Sequence, residues 1–172
     1  MENNAVDIIS GLNGTGVNSP TYVTPGITGS GYALKLIRNS SQYITIPTYK
    51  SLVNTSFTVE MWIYPTTMNG VDYGLFAQSD MRSLNHWLQM IIRHNRLYMD
   101  FWGPHVTGGT LLTTNTWYHA AFVYDYSAKT QTVYLNGYQD GLSTSVGPYL
   151  GMAGPISIGM YYDDSSFSCF DG

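Results

Sequence analysis

Short segments of strand-forming residues recur at short intervals along this chain, and turn residues separate them. No stretch carries a convincing helical pattern. This arrangement predicts an all-β protein whose strands form a two-sheet antiparallel sandwich. The predicted strands cover residues 32–37, 42–47, 56–65, 73–78, 86–93, 96–102, 109–113, 117–125, 130–137, 138–143 and 155–161.

The length of 172 residues is enough for one domain with a sizeable core. Charged residues make up only 10% of the chain, against about 25% in an average soluble domain. We therefore predict a single domain over residues 1–172. Residues 1–30 form an irregular lead-in with one short strand, and residues 31–172 form the sandwich.

Two dipeptides predict tight hairpins, "HN" at 94–95 and "NG" at 136–137. In the strand at 56–65, alternate residues from Phe57 to Ile63 are apolar and share one face. The other face is also bulky, because it carries Trp62 and Tyr64. This pattern predicts a central strand that is covered on both faces.

Charge and hydropathy exclude several classes of partner. The net charge is −4, and the lysines and arginines are scattered without forming a basic stripe, so nucleic-acid binding is not expected. No apolar run approaches the roughly 20 residues that a membrane span needs. We therefore expect no membrane insertion by this chain. The first residues lack the basic and apolar regions of a signal peptide.

The ordered set of segments resembles the laminin-G-like jelly roll of the concanavalin A-like lectin and glucanase superfamily. The most specific segments are "FTVEMWIYP" at 57–65, "WYHAA" at 117–121 and "VYLNG" at 133–137. The resemblance runs from about Gly31 to the C-terminus. It implies a concanavalin A-like jelly-roll sandwich and places these segments in its framework.

His119 is the first residue to test for catalysis, because an aspartate follows it in the same strand. A catalytic histidine needs an orienting carboxylate within hydrogen-bond reach. Asp125 is six residues away, which is about 20 Å along a strand. We therefore interpret His119 as a half-buried framework residue bonded to backbone, as the resemblance also implies.

Glycoside hydrolysis is the enzyme activity that the superfamily suggests. A retaining mechanism needs two carboxylates about 5 Å apart, and in this superfamily they come from an acidic cluster on one strand. The only glutamates are Glu2 and Glu60, and no predicted strand carries two acids at alternate positions. Glu60 stands alone among apolar neighbours, so we interpret it as a framework acid and predict no enzyme activity.

Binding residues are expected in the loops. Trp102 and His105 lie in a segment with proline and flexible glycines, and Tyr161 and Tyr162 follow directly after a predicted strand. Aromatic rings stack on sugar rings, so these four residues are the candidate ligand-binding set.

Calcium is the metal that the resemblance suggests, because many laminin-G-like domains bind one Ca²⁺ at the sandwich rim. The position that usually supplies a carboxylate is occupied here by Asn85 or His86. The candidates that remain are Asp80, Asp163 and Asp164, since a hard cation prefers charged oxygen ligands. No cofactor is required otherwise.

The C-terminus ends at "SCFDG". Family members usually follow such a segment with one more strand that closes a sheet. The resemblance therefore implies a C-terminally truncated domain, a fragment of a longer protein, with an uncovered strand edge near residues 32–37 or 56–65. The single cysteine, Cys169, excludes an internal disulfide and leaves pairing outside this chain open.

These observations predict a non-catalytic recognition module that binds glycans or an extracellular protein. The resemblance places it in a larger extracellular or cell-surface protein. The alternative is a structural spacer without a ligand of its own. The third alternative is that the protein is a relative of the glycoside hydrolases.

Overall fold

The computed structural model describes residues 3–163 and 166–172. Within these residues the chain forms fifteen strands and one 3₁₀ turn at Arg38–Ser40, which confirms the all-β prediction. The strands are β1 (Thr15–Val17), β2 (Thr21–Val23), β3 (Ala33–Lys35), β4 (Tyr43–Ile46), β5 (Phe57–Ile63), β6 (Tyr73–Ser79), β7 (Trp87–Arg93), β8 (Arg96–Asp100), β9 (His105–Thr107), β10 (Tyr118–Asp125), β11 (Thr130–Leu135), β12 (Tyr138–Ser143), β13 (Ile156–Ile158), β14 (Met160–Asp163) and β15 (Ser166–Cys169).

Two antiparallel sheets make the sandwich. The larger has seven strands in the order β1-β4-β13-β6-β7-β8-β9, and the smaller has four in the order β12-β11-β10-β5. Two further hairpins, β2–β3 and β14–β15, pair only within themselves in the described part of the chain. The lead-in thus carries two short strands where the sequence predicts one.

The hydrophobic core lies between the two sheets, because alternate side chains of each strand point inward. From β7 these are Leu88, Met90 and Ile92, which join Ala120 and Phe122 of β10 in one buried cluster. The apolar face of β5 packs on the same cluster, as its alternation predicts.

Both predicted hairpins are confirmed. His94 and Asn95 join β7 to β8 with φ of 49° and 59°, and Asn136 and Gly137 join β11 to β12 with φ of 52° and 83°. Positive φ at both central residues is the requirement of the tight turns whose twist matches the flanking strands.

The prediction of a strand at residues 109–113 is wrong. The chain turns back after Phe101, and β9 at His105–Thr107 adds to the free edge of β8 instead. Residues 109–113 form a loop in which Leu112 is buried in the core and its N–H donates to the carbonyl of Asn95. Burial of Leu112 explains the apolar pattern that suggested a strand.

The prediction of a central, doubly covered β5 is also wrong. Among the described strands β5 pairs with β10 alone, and Trp62 on its outer side is 51% exposed. The bulky outer residues make ring contacts on the surface. The Trp62 ring lies 5.2 Å from that of His119, and the Tyr64 ring lies 5.2 Å from that of Trp117.

The last residues lie between β3 and the segment that follows β5. Leu36 and Gly172 exchange two backbone hydrogen bonds of 2.8 and 3.1 Å, and Thr66 N–H donates to the carbonyl of Asp171 at 2.9 Å. A further closing strand stays a prediction.

The β14–β15 hairpin folds against the outer face of the seven-stranded sheet. Tyr161 packs there against Ala77, Ile91 and Tyr98 in a second buried cluster. This approach requires Gly74, since a Cβ at that position would lie 2.3 Å from the Tyr161 backbone nitrogen. Cys169 of β15 is buried, and burial raises the pKa of its thiol.

We predict that Phe122→Ala lowers the free energy of unfolding by about 3–5 kcal/mol, because it leaves a cavity in the centre of the core. Phe122 is 0% exposed. Urea denaturation followed by far-UV circular dichroism measures the loss. The matched control is Leu142→Ala on exposed β12, which should change stability by less than about 0.5 kcal/mol. Equal effects at the two positions would contradict the assigned core.

Candidate functional site

The outer face of the seven-stranded sheet carries the side chains that alternate with the core residues. On β7 these are Trp87, Gln89, Ile91 and Arg93, and on β8 they include Tyr98 and Asp100. The register places Gln89 opposite Asp100 and Arg93 opposite Arg96. The β14–β15 hairpin covers the part of this face around Ile91.

At one end four aromatic residues form a continuous cluster, which we call the aromatic platform: Trp87, Trp102, Tyr162 and Phe167. The Trp87 ring lies between the others, 6.1 Å from Trp102 and 6.4 Å from Tyr162, and Tyr162 lies 5.3 Å from Phe167. Trp87 is buried, whereas Tyr162 is 43% and Phe167 is 56% exposed. Trp87 therefore supports the rings that face solvent.

Trp102 adopts a left-handed backbone conformation with φ of 66°. This conformation is unfavourable for a bulky residue and needs support from its surroundings. Asp100 supplies it, because its Oδ1 accepts a hydrogen bond from the Trp102 N–H at 3.0 Å. The guanidinium of Arg82 lies 3.9 Å from the Trp102 ring centroid, in a cation–π contact.

Asp100 is the polar centre of the outer face. Its Oδ1 also accepts from Gln89 Nε2 at 2.8 Å, and its Oδ2 accepts from the Tyr98 hydroxyl at 2.8 Å. All three side chains are buried. Burial, and next the Asp100 charge, raise the pKa of Tyr98 well above its usual range, so the hydroxyl keeps its proton.

A second polar group holds the hairpin to the sheet. Two nitrogens of Arg93 donate to the Asp72 carboxylate. Nε lies 3.0 Å from each carboxylate oxygen, and Nη2 lies 2.5 Å from Oδ2. The Tyr161 hydroxyl donates to the same carboxylate at 2.7 Å. Burial, and next this hydrogen bond, raise the pKa of Tyr161 to about 12.

Comparison with known families identifies the fold. The family model described as the concanavalin A-like lectin/glucanases superfamily, of laminin-G type, matches residues 38–172, which is most of the chain. The chain belongs to this superfamily. No curated protein matches it.

Solved structures agree on the fold of this superfamily member. Domain 4 of AbnA, a GH43 extracellular arabinanase from Geobacillus stearothermophilus solved with arabinotriose, is 20% identical with a TM-score of 0.72, over 97% of this chain and 83% of that one. A putative carbohydrate-binding protein from Bacteroides ovatus is 20% identical with a TM-score of 0.56, over 70% of this chain and 35% of that one. Mouse laminin α1 domains LG4-5 are 14% identical with a TM-score of 0.54, over 74% of this chain and 36% of those. The chain thus spans about a third of the last two.

The structure places the four predicted ligand residues of this superfamily member in three different environments. Trp102 and Tyr162 come together on the aromatic platform, on either side of Trp87. His105 lies apart from them, with its ring 5.0 Å from that of Tyr98. Tyr161 is only 3% exposed and bonded to Asp72, so it presents no surface to a ligand and we leave it out of the site.

Sequence reasoning missed Trp87, Gln89, Asp100 and Phe167. Trp87 and Gln89 sit in a strand whose residues are buried on both faces, so period-two alternation did not mark one face as functional. The signal that could have found Asp100 is its position at the end of a strand, two residues before Trp102.

The three candidate calcium ligands are only partly described. Asp80 accepts hydrogen bonds from the N–H groups of Met81 at 2.7 Å and Met152 at 2.8 Å, and lies 3.0 Å from His86 Nδ1. Asp164 and the side chain of Asp163 lie outside the described residues. Residues 3–163 and 166–172 hold no group of three potential metal ligands. Calcium binding stays a prediction.

His119 is half-buried as predicted, but the predicted bonding of its ring and the role of Glu60 require a correction. They lie side by side on the outer face of the four-stranded sheet, with His119 Nε2 3.7 Å from Glu60 Oε2. Glu60 is exposed rather than a framework acid among apolar neighbours, and the His119 ring faces this carboxylate. The backbone N–H of His119, not its ring, is bonded, to Asn136 Oδ1 at 2.9 Å. The pairing escaped prediction because the two strands are far apart in sequence. Asp125 accepts hydrogen bonds from the Ser127 hydroxyl and the Ala128 N–H. It does not contact His119, as the strand spacing predicts.

The raised pKa of Tyr161 predicts a stability that falls at alkaline pH. The folded state holds this proton up to about pH 12, whereas an unfolded tyrosine releases it near about pH 10. The stabilisation is complete below pH 10 and is lost as pH rises from about 10 to 12, because the unfolded state ionises first. Tyr161→Phe should therefore flatten the fall in unfolding free energy across this window. Urea denaturation at several pH values measures it.

The control for this experiment is Tyr138→Phe, at a side chain that is 80% exposed. It should reproduce the pH dependence of the wild-type protein. A Tyr161→Phe variant with an unchanged slope above pH 10 would show that Tyr161 is not buried against Asp72.

Proposed function

We propose that this protein is a non-catalytic recognition module that binds glycans at the aromatic platform on the outer face of its seven-stranded sheet. The observation that carries the proposal is the contiguous set of rings at Trp87, Trp102, Tyr162 and Phe167, of which the outer ones face solvent. Aromatic faces of this kind stack on the apolar faces of sugar rings.

Polar groups beside the platform suit sugar hydroxyls. The Arg82 guanidinium lies over one face of the Trp102 ring, so a ligand at the platform meets a positive charge there. Beside the rings, Gln89 donates a hydrogen bond to Asp100. Asp100 in turn accepts from the Trp102 N–H and holds the Trp102 backbone in place. A small number of placed polar groups among aromatic side chains is the usual composition of a ligand site.

The carboxylates of the outer face that the structure describes are not placed for hydrolysis. Asp100 lies opposite Gln89, and Asp72 lies one residue before Tyr73, which pairs with Ile92. The two acids are thus about four residues apart along the strand direction, which is about 13 Å. Retaining and inverting glycosidases need carboxyl groups roughly 5–5.5 Å and 6.5–9.5 Å apart. Each acid is also held by donors of the protein itself.

Two solved relatives support a glycan as the ligand. The arabinanase domain was solved with arabinotriose, and the Bacteroides ovatus protein is described as a putative carbohydrate-binding protein. The arabinanase is extracellular, which supports a place for this module in a larger extracellular or cell-surface protein. Within the described residues, no helix has the length and apolar character of a membrane span.

Protein binding is the second candidate, and the outer face of the four-stranded sheet favours it. Trp62 and Leu142 expose apolar surface there, and large exposed aromatic side chains are enriched at protein interfaces. The two candidates use opposite sheets, so substitutions separate them.

We predict that Trp102→Ala weakens glycan binding at least about tenfold, because it removes a stacking surface and the ring that Trp87 supports. A glycan array that includes arabinotriose identifies ligands, and isothermal titration measures their affinity. Trp62→Ala is the matched control, since it removes a tryptophan from the opposite sheet and should leave the affinity unchanged.

Loss of binding in Trp62→Ala, with wild-type affinity in Trp102→Ala, would place the glycan on the four-stranded sheet and overturn the proposed site. Failure of the wild-type protein to bind any glycan would overturn the function itself. That result would favour the spacer alternative or a protein ligand.

A further inference from the structure

A pocket lies at the other end of the same outer face, where β7 turns into β8. Its volume is about 390 Å³, and its lining consists of Arg93, His94, Arg96, Tyr98, His105 and Thr107. Among the residues that the structure describes, the lining therefore contains two arginines, two histidines and no carboxylate. This composition is unusual for a chain with a net charge of −4 and only seven lysines and arginines.

The two arginines are directly opposed. Arg93 and Arg96 are cross-strand partners in the β7–β8 register. Like charges in this position repel each other. Asp72 compensates Arg93 through a bidentate ion pair, but no carboxylate of the described residues forms an ion pair with the second guanidinium.

Arg96 is held in place without being neutralised. Its Nη1 donates to the carbonyl oxygens of Gly108 and Gly109. In the described part of the chain its Nε and Nη2 groups make no hydrogen bond, and no carboxylate oxygen lies within 4 Å of it. Asp140 packs against Gly108 and Gly109, and its Oδ1 accepts from the backbone and the hydroxyl of Thr110. Arg96 thus presents a fixed positive charge with unused donors.

The remaining lining residues are suited to the same ligand. The Tyr98 ring contacts the Arg93 guanidinium at 4.3 Å and the His105 ring at 5.0 Å, which fixes both side chains against the sheet. His94 in the turn and His105 are exposed and carry ring N–H groups that can donate. Several donors around one free guanidinium match the geometry of an oxyanion.

We propose that this pocket binds the negatively charged group of an acidic sugar, either the carboxylate of a uronic acid or a sulfate ester. The inference rests on the proposed glycan-binding function and narrows its ligand class. Trp87 and Arg93 mark the two ends of β7 on one face and are six residues, or about 20 Å, apart. An acidic oligosaccharide that stacks on the aromatic platform therefore reaches the pocket with a charged residue further along its chain.

The experiment compares oligosaccharides that differ only in charge. The probes are a hexameric oligogalacturonide, the same hexamer with its carboxylates methyl-esterified, and a sulfated and an unsulfated galactan hexamer. Affinities are measured by isothermal titration for the wild-type protein and for Arg96→Gln. The control variant is Lys35→Gln, which removes the same charge from an exposed residue of β3.

The wild-type protein should bind at least one charged hexamer more tightly than its neutral partner, and its affinity should fall as salt rises. Arg96→Gln should lower the affinity for that charged hexamer at least about tenfold and leave the affinity for the neutral hexamer unchanged. Lys35→Gln should behave as the wild-type protein. A preference for the carboxylated or the sulfated hexamer assigns the source of the charge.

Equal affinity of the wild-type protein for charged and neutral hexamers would overturn the inference and leave the glycan-binding function intact. So would equal effects of Arg96→Gln and Lys35→Gln. If Arg96→Gln does not fold, a salt-independent wild-type affinity for the charged hexamer overturns the inference alone. A lower affinity for the charged hexamer in Arg96→Gln, with an unchanged affinity in Trp102→Ala, would support the pocket and contradict the proposed aromatic platform. Absence of binding to every hexamer overturns the inference, and the glycan array then decides the glycan-binding function separately.

Discussion

Burial of β7 on both faces is the constraint on which the rest of the structure depends. Its inward side chains complete the core between the sheets, and its outward side chains from Trp87 to Ile91 are also buried. The four-stranded sheet packs only on the inward side, so the outward set needs another cover. The β14–β15 hairpin and the aromatic platform provide this cover, and the candidate site is therefore part of what shields the sheet.

The hairpin divides the outer face into two regions of different chemistry. Tyr161 binds Asp72 and packs on Ile91 and Tyr98 in the middle. On one side of it lie the rings around Trp87, and on the other lie the guanidinium groups of Arg93 and Arg96. An apolar surface and a cationic pocket on one continuous sheet suit a long ligand with both an apolar face and a charge.

The sequence predicts the strands and turns well because these depend on local patterns. The alternation in β5 and the "HN" and "NG" turns specify backbone conformation within a few residues. The site is harder to predict, since Trp87, Asp100, Trp102 and Tyr162 come from separate segments that only the register and the hairpin bring together. Tyr161 and Tyr162 illustrate the limit. They are adjacent in sequence, yet one is buried against the sheet and the other faces solvent, because successive residues of a strand point to opposite sides.

The left-handed backbone of Trp102 has a thermodynamic consequence for ligand binding. Folding already fixes this residue through the Asp100 carboxylate, and the neighbouring Trp87 ring restricts its side chain. A ligand that stacks on Trp102 therefore has little side-chain freedom to remove. Contacts with such a surface lose less entropy than contacts with a mobile loop, which is the property that the proposed binding of a short oligosaccharide requires.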